Sequence, residues 1–309
     1  MITTFFSKSG PFNYFLVIAL LIMGFSLFHM EKPVTLTDSV TIAQNVGLLV
    51  LLMSSLILTD LITKKNELSK GSTYSILFFF SFLIMIPGVF EDKNLIISGS
   101  LIILAVKRLI SLQTQTFPKE KIFDASAWIF IASLFHFWSI LFILVVFVSV
   151  ILHVSRDYRN WLLPYLALFS ISVIFAIFSL MFDNSLLTVF YESIYIDLDF
   201  NYFTDMYQNI ALSVFAAFAV LFLISQIMAL PSKPVIQQSA FTKLIISCIL
   251  GIVIFIISPN KGNQTLIFTC MPLSIMATSY VEGIRLNWFK EVIALLLVIL
   301  SITVFIIQL

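Results

Sequence analysis

Apolar runs long enough to cross a bilayer recur along this chain, and no other feature constrains its fold as strongly. Runs near the ~20 residues that a helix needs to span the hydrocarbon layer lie at 12–29, 40–60, 72–90, 161–182, 208–229, 241–258, 265–282 and 290–309. A shorter run at 94–106 stops at Lys107 and Arg108, and one at 125–153 is too long for a single untilted crossing. Backbone polar groups have no water partner in lipid, so each run must be a helix. The expected fold is all-α: a polytopic transmembrane helix bundle, one integral membrane domain over 1–309, with the lipid bilayer as its first partner. Composition excludes a water-soluble alternative, because 60% of the residues are hydrophobic and 11% charged, against about 25% charged in soluble domains. The net charge of +1 leaves no footprint for a nucleic acid. Cys248 and Cys270 fall inside apolar runs and read as small buried hydrophobes. The first run has no small-residue cleavage site after it and reads as a membrane span, not a signal peptide.

The long run at 125–153 decides the topology. Crossing once, it would divide the basic residues nine inside and eight outside, which is no bias. Entering and returning as two half-helices, broken near His136–Ser139, it puts fourteen Lys and Arg inside and leaves only Lys32, Lys93 and Lys261 outside. That distribution obeys the positive-inside rule. The expected topology is therefore about nine full spans plus one broken half-helix hairpin, N-terminus cytoplasmic and C-terminus outside. Nine of the sixteen acids then lie outside. Backbone broken at membrane depth must be buried in protein or line a wet cavity.

Phosphate-cradling glycine loops, paired-histidine metal motifs and nucleophile elbows are absent from the sequence, so no metal site is expected from motifs. Chemistry must come from ionisable groups at span ends. The first outer loop carries Glu31, Lys32 and Asp38, and a carboxylate there suits a general base, with Asp38 or Glu31 the candidates. The same charges also suit two helix ends in water, with Asp38 as part of a cap. Glu91 and Asp92 follow Pro87 and Gly88 on the same face, as a binding pair or as a solvated turn. Segment 183–207 is an outer interfacial acidic-aromatic loop or helix: Asp183, Glu192, Asp197, Asp199 and Asp205 alternate with phenylalanines and tyrosines, among them Tyr195, and it holds no lysine or arginine. It suits an acidic lid over a sugar, and equally an interfacial anchor. His136 is an ionisable group within a long apolar run, a functional candidate by position; it also suits a neutral ring that satisfies its own broken helix. On the cytoplasmic face, 156–161 suits lipid phosphates or a partner.

Two stretches carry resemblances. The start, Met1-Ile2-Thr3-Thr4-Phe5-Phe6-Ser7-Lys8-Ser9-Gly10-Pro11 followed by Asn13-Tyr14, resembles an uncharacterised family of multi-pass membrane proteins from Bacteroidota, over most of the chain. Asp124-Ala125-Ser126-Ala127, Ile131 to Phe137, an apolar run and then Arg156 to Pro164 resemble the paired half-helix region of polyprenyl-phosphate-dependent C-type glycosyltransferases and oligosaccharide polymerases, over about residues 30–180. That resemblance implies lipid-linked glycan handling, an outward-facing cavity and a polyprenyl-linked glycan as substrate. It also implies an acid in the first outer loop, where Asp38 or Glu31 stands. Outward arginines, which such polymerases use to hold a lipid diphosphate, are missing here. Lys32, Lys93, Lys261 or an acid-bound divalent cation would have to replace them. Two other classes stay open: a non-catalytic scaffold that packs against partner membrane proteins in a secretion or motility apparatus, and a transporter.

Overall fold

The computed structural model describes residues 2–31, 39–182, 185–196, 206–259 and 262–309, and the regular secondary structure among them is all helix. A short α1 (Ile2–Phe6) precedes α2 (Pro11–Glu31), α3 (Ser39–Lys65), α4 (Tyr74–Ile84) and α5 (Lys93–Ile110). Next come α6 (Pro118–Phe135), α7 (Ile143–His153), α8 (Arg159–Phe182) and α9 (Ser185–Glu192). The chain closes with α10 (Met206–Ala229), α11 (Val235–Ile257), α12 (Ile267–Gly283) and α13 (Asn287–Gln308). Eight helices among the described residues are long and apolar enough to cross a membrane. They match eight of the nine expected full spans. The ninth, at 72–90, is the shorter α4 prolonged by a 3-10 turn at Pro87–Phe90.

The centre of the bundle is α4 against α12. Every residue of α4 is buried, as are thirteen residues of α12. Small hydroxyl residues make this core possible in a medium where apolar side chains gain nothing by leaving lipid. Ser81 donates to Leu77 O at 2.9 Å and Thr278 to Ser274 O at 2.7 Å, so each hydroxyl is satisfied within its own helix while backbones approach closely. Helices α5 and α11 flank this core, whereas α8 buries only Asn160, Pro164, Ala167 and Ser179.

The expected hairpin forms, with its break at His136, whose backbone is extended (φ −141°, ψ 104°). Its arms correct the expectation of half-length helices. Helix α6 has 18 residues, about 27 Å at 1.5 Å per residue. The return arm joins a six-residue 3-10 stretch, Phe137–Phe142, to α7. The apolar run at 125–153 omits the charged first turn of α6, Pro118 to Lys121, which is helical too. At the arms' base, Gln115 donates to His153 O at 3.4 Å and Lys119 pairs with Asp157 at 3.3 Å. At their tip, His136 meets Ser258, the residue that ends α11. Both arms therefore run the depth of the bundle, and the break sits at its end, not at mid-membrane.

The two ends differ in charge as the positive-inside count requires. Connections assigned inside are knitted together: Lys70 N donates to Glu282 at 2.8 Å, Gln237 to Glu67 O at 2.8 Å, Gln113 to Asn66 at 3.0 Å and Thr3 to Glu291 at 3.3 Å. At the opposite end Phe90 packs on Phe25 and Phe28, and Gln308 donates to Met85 O at 3.2 Å. We name these the basic and the acidic end. A reporter fused after Arg159 should read as cytoplasmic and one after Tyr195 as external. An external signal from Arg159 would overturn this orientation.

Candidate functional sites at the two ends of the bundle

At the acidic end, the chain leaves the Pro87–Phe90 turn and enters α5 through Glu91 and Asp92. Asp92 caps α5, accepting from Asn94 N at 3.0 Å and Leu95 N at 3.1 Å, which satisfies two donors that no preceding turn can serve. Glu91 is exposed beside Phe90. His136 lies 3.3 Å from Ser258 Oγ through Nε2, with its ring 5.5 Å from that of Phe268. The Ser139 hydroxyl is buried and has no hydrogen-bond partner among the described residues. Glu192 is exposed at the end of α9, and Tyr195 is exposed while its carbonyl accepts from Trp138 Nε1 at 3.2 Å. Thus Glu91, Asp92, His136, Glu192 and Tyr195 share one end, and the contacts there include His136 to Ser258 and Tyr195 to Trp138. Asp38 and Asp199 lie outside the described residues, as does the Glu31 side chain. Among the described residues no three His, Cys, Asp or Glu side chains are grouped to hold a metal.

Beneath this end, α2 and α3 leave an apolar slot of about 290 Å³. Phe25, His29 and Met30 line one wall, and Ile42, Asn45 and Leu49 the other. His29 Nδ1 bonds Phe25 O at 2.9 Å and its ring stacks on Phe25, so its polarity is turned back onto its own helix. The slot thus offers a hydrocarbon chain two apolar walls and one amide.

The basic end holds three polar arrangements built from residues on helices distant in the chain. Asp60, 1% exposed, accepts from Tyr14 at 2.5 Å, Ser75 at 2.6 Å and Lys64 at 2.9 Å, tying α2, α3 and α4 together. The signal was the Asp60–Lys64 pair at i,i+4, a spacing that places both on one helix face. Lys243, 0% exposed, donates to Leu109 O at 2.7 Å and to His153 Nε2 at 2.9 Å, binding α11 to the ends of α5 and α7. Its signal was a cation inside the 241–258 run.

The third is a cavity of about 670 Å³ between α10, α11 and α12. Gln226 and Lys233 reach it from the end of α10 and the turn that follows, Tyr280 and Glu282 from the end of α12, and Glu67 and Lys70 from the α3–α4 connection. Lys233 hydrogen-bonds Ser279 and lies 3.5 Å from the centre of the Phe241 ring. Burial pushes its ammonium down to about 8, against the opposing pull of Glu282. Gln226 is 2% exposed, and its Nε2 has no partner among the described residues. In the sequence, Gln226 stands out as a lone amide in an apolar run.

A family model described as a family of unknown function, DUF6427, matches residues 5–309. No curated protein and no solved structure matches the chain.

Proposed function

The chain belongs to the DUF6427 family, and from that premise we propose that it handles a lipid-linked glycan in the bacterial inner membrane. The observation that carries this reading is the slot between α2 and α3. It is apolar and is lined by the last turns of α2 and the first turns of α3, whose connection carries Glu31, Lys32 and Asp38 in the sequence. A polyprenyl chain lies in the slot, and the glycan sits at the acidic end. Asp38 or Glu31 takes the proton of an acceptor hydroxyl, as a general base must lie within hydrogen-bond reach of it. Glu91, Glu192, Tyr195 and Asp199 bind sugar hydroxyls. Asp92 keeps its capping role, and His136 holds the hairpin tip to Ser258. A divalent cation or Lys93 neutralises the lipid phosphate.

A second reading, the non-catalytic scaffold, draws on α8, whose outward flank presents Leu162, Tyr165, Leu166, Phe169, Ile174 and Phe178 to whatever surrounds it. Mild purification from the native membrane separates the two. The glycan reading expects a co-purifying lipid-linked saccharide, together with altered surface glycans in Asp38→Asn or Glu31→Gln strains. Stoichiometric membrane partners and unaltered glycans in both strains would replace it with the scaffold. A bound lipid-linked saccharide with unaltered glycans would indicate movement without chemistry, which a flipping assay reads directly.

A further inference from the structure

The basic-end cavity belongs to neither reading, since it lies at the opposite end of the bundle from Glu91, Asp92 and Glu192. Its volume of about 670 Å³ lies within the range of small-ligand sites. Its charges are mixed and balanced: Lys233 and Lys70 against Glu282 and Glu67. A bare anion would meet two carboxylates there, and a bare cation two ammonium groups. We propose that this cavity binds a zwitterionic phospho-amine headgroup, with its phosphate on Lys233 and Gln226 and its primary ammonium on Glu282 and Glu67.

The placement of the polar atoms supports that division. The Gln226 amide is nearly fully buried and its donor is unpaired among the described residues. A donor so placed is costly to leave unmet, and a phosphate oxygen would meet it. Lys233 is held between Ser279 and the Phe241 face, so its ammonium is fixed in position before a ligand arrives. Glu282 is oriented by Lys70 N at 2.8 Å and Ser72 Oγ at 2.5 Å. Glu67 sits in the left-handed region at φ 55°, a conformation that non-glycine residues rarely adopt. Its carbonyl is clamped by Gln237 at 2.8 Å. The wall formed by α10 ends in exposed Ile227 and Met228, so acyl chains can continue from the headgroup into lipid.

Phosphatidylethanolamine and free phosphoethanolamine present this same chemistry. The full-length protein in phosphatidylcholine nanodiscs is titrated with phosphatidylethanolamine, with phosphatidylglycerol, or with soluble phosphoethanolamine, and binding is read by native mass spectrometry and thermal unfolding. Phosphatidylethanolamine should bind in preference to phosphatidylglycerol, which lacks the ammonium. Competition by soluble phosphoethanolamine assigns the site to the free compound, and lack of competition assigns it to the lipid. Lys233→Gln and Gln226→Leu should each weaken binding about tenfold or more, the scale of one charge-assisted hydrogen bond. Lys290→Gln, at the same end but outside the cavity, should not. The Lys233 ammonium, lowered by burial to about 8, is charged below that pH and is lost above it. Wild-type binding should therefore fall as pH rises from about 7 to about 9, more steeply than in Lys233→Gln. Equal binding of phosphatidylglycerol, or two folded variants that bind like wild type, would overturn the proposal. Neither result touches the reading of the acidic end, whose acids lie on the other face.

Discussion

Asp60→Ala should lower the thermal stability of the detergent-solubilised protein more than any single surface change, by about 2–5 kcal/mol for two buried donors left unpaired. The carboxylate is 1% exposed and receives three donors, from Tyr14, Ser75 and Lys64. The lysine side chain is 24% exposed, so its charge can turn toward the interface and is not stranded. The Ser75 hydroxyl is fully buried and loses its acceptor; the half-buried Tyr14 hydroxyl loses its acceptor too but still accepts from Lys64 Nζ at 2.5 Å, and a buried donor left without a partner costs about 1–3 kcal/mol. Asp60→Asn keeps an acceptor for one donor and should cost roughly half as much. The midpoint of unfolding, followed by intrinsic fluorescence, reads both. An Asp60→Ala protein as stable as wild type would mean that α2, α3 and α4 hold together by apolar packing alone.

Substituting Gly251 should produce the second large effect. A Cβ at this position in α11 would stand 2.5 Å from Thr269 Cγ2 and 3.3 Å from the Phe268 carbonyl carbon of α12. The first clash involves a side chain whose hydroxyl is already tied to Leu266 O at 2.7 Å, and the second involves backbone, which cannot rotate away. Gly251→Ala should cost about 1–3 kcal/mol, the usual range for overpacking, and Gly251→Val should cost more, because its two methyls reach further into α12. The pair offers a cleaner test than the single change. Thr269→Ser removes the clashing methyl while keeping the hydroxyl, so Gly251→Ala with Thr269→Ser should recover much of the loss. A double-mutant cycle with no coupling would show that the strain lies in the backbone contact.

Some of the acidic-end and basic-end chemistry was visible in the sequence, and some was not. Glu91 and Asp92 stood out as adjacent acids, but only the fold separated an exposed carboxylate from a helix cap. His136 stood out as an ionisable residue within an apolar run. The arms of α6 and α7 then carried it to the end of the bundle and against Ser258. Lys243 and Gln226 carried signals just as clear, a charge and an amide within apolar runs. Their roles are not legible in sequence, because their partners, Leu109 O and His153 for the first and the cavity for the second, come from helices distant in the chain.

What the sequence determined by itself is what the bilayer imposes on any chain. Run length sets which segments are helices, since lipid leaves the backbone no other partner. The distribution of Lys and Arg separates a basic end from an acidic one, and it required the hairpin at 125–153 to turn back. Tertiary structure alone decided which helix lies inside. Hydropathy cannot tell α4, wholly buried, from α8, which exposes most of its length. Lipid tails are as apolar as leucine, so a phenylalanine facing lipid and one facing another helix have the same transfer cost. Helix order is settled instead by close contacts such as Gly251 on Thr269, and by the few polar groups, Asp60 and Lys243 among them, that must find partners across the bundle.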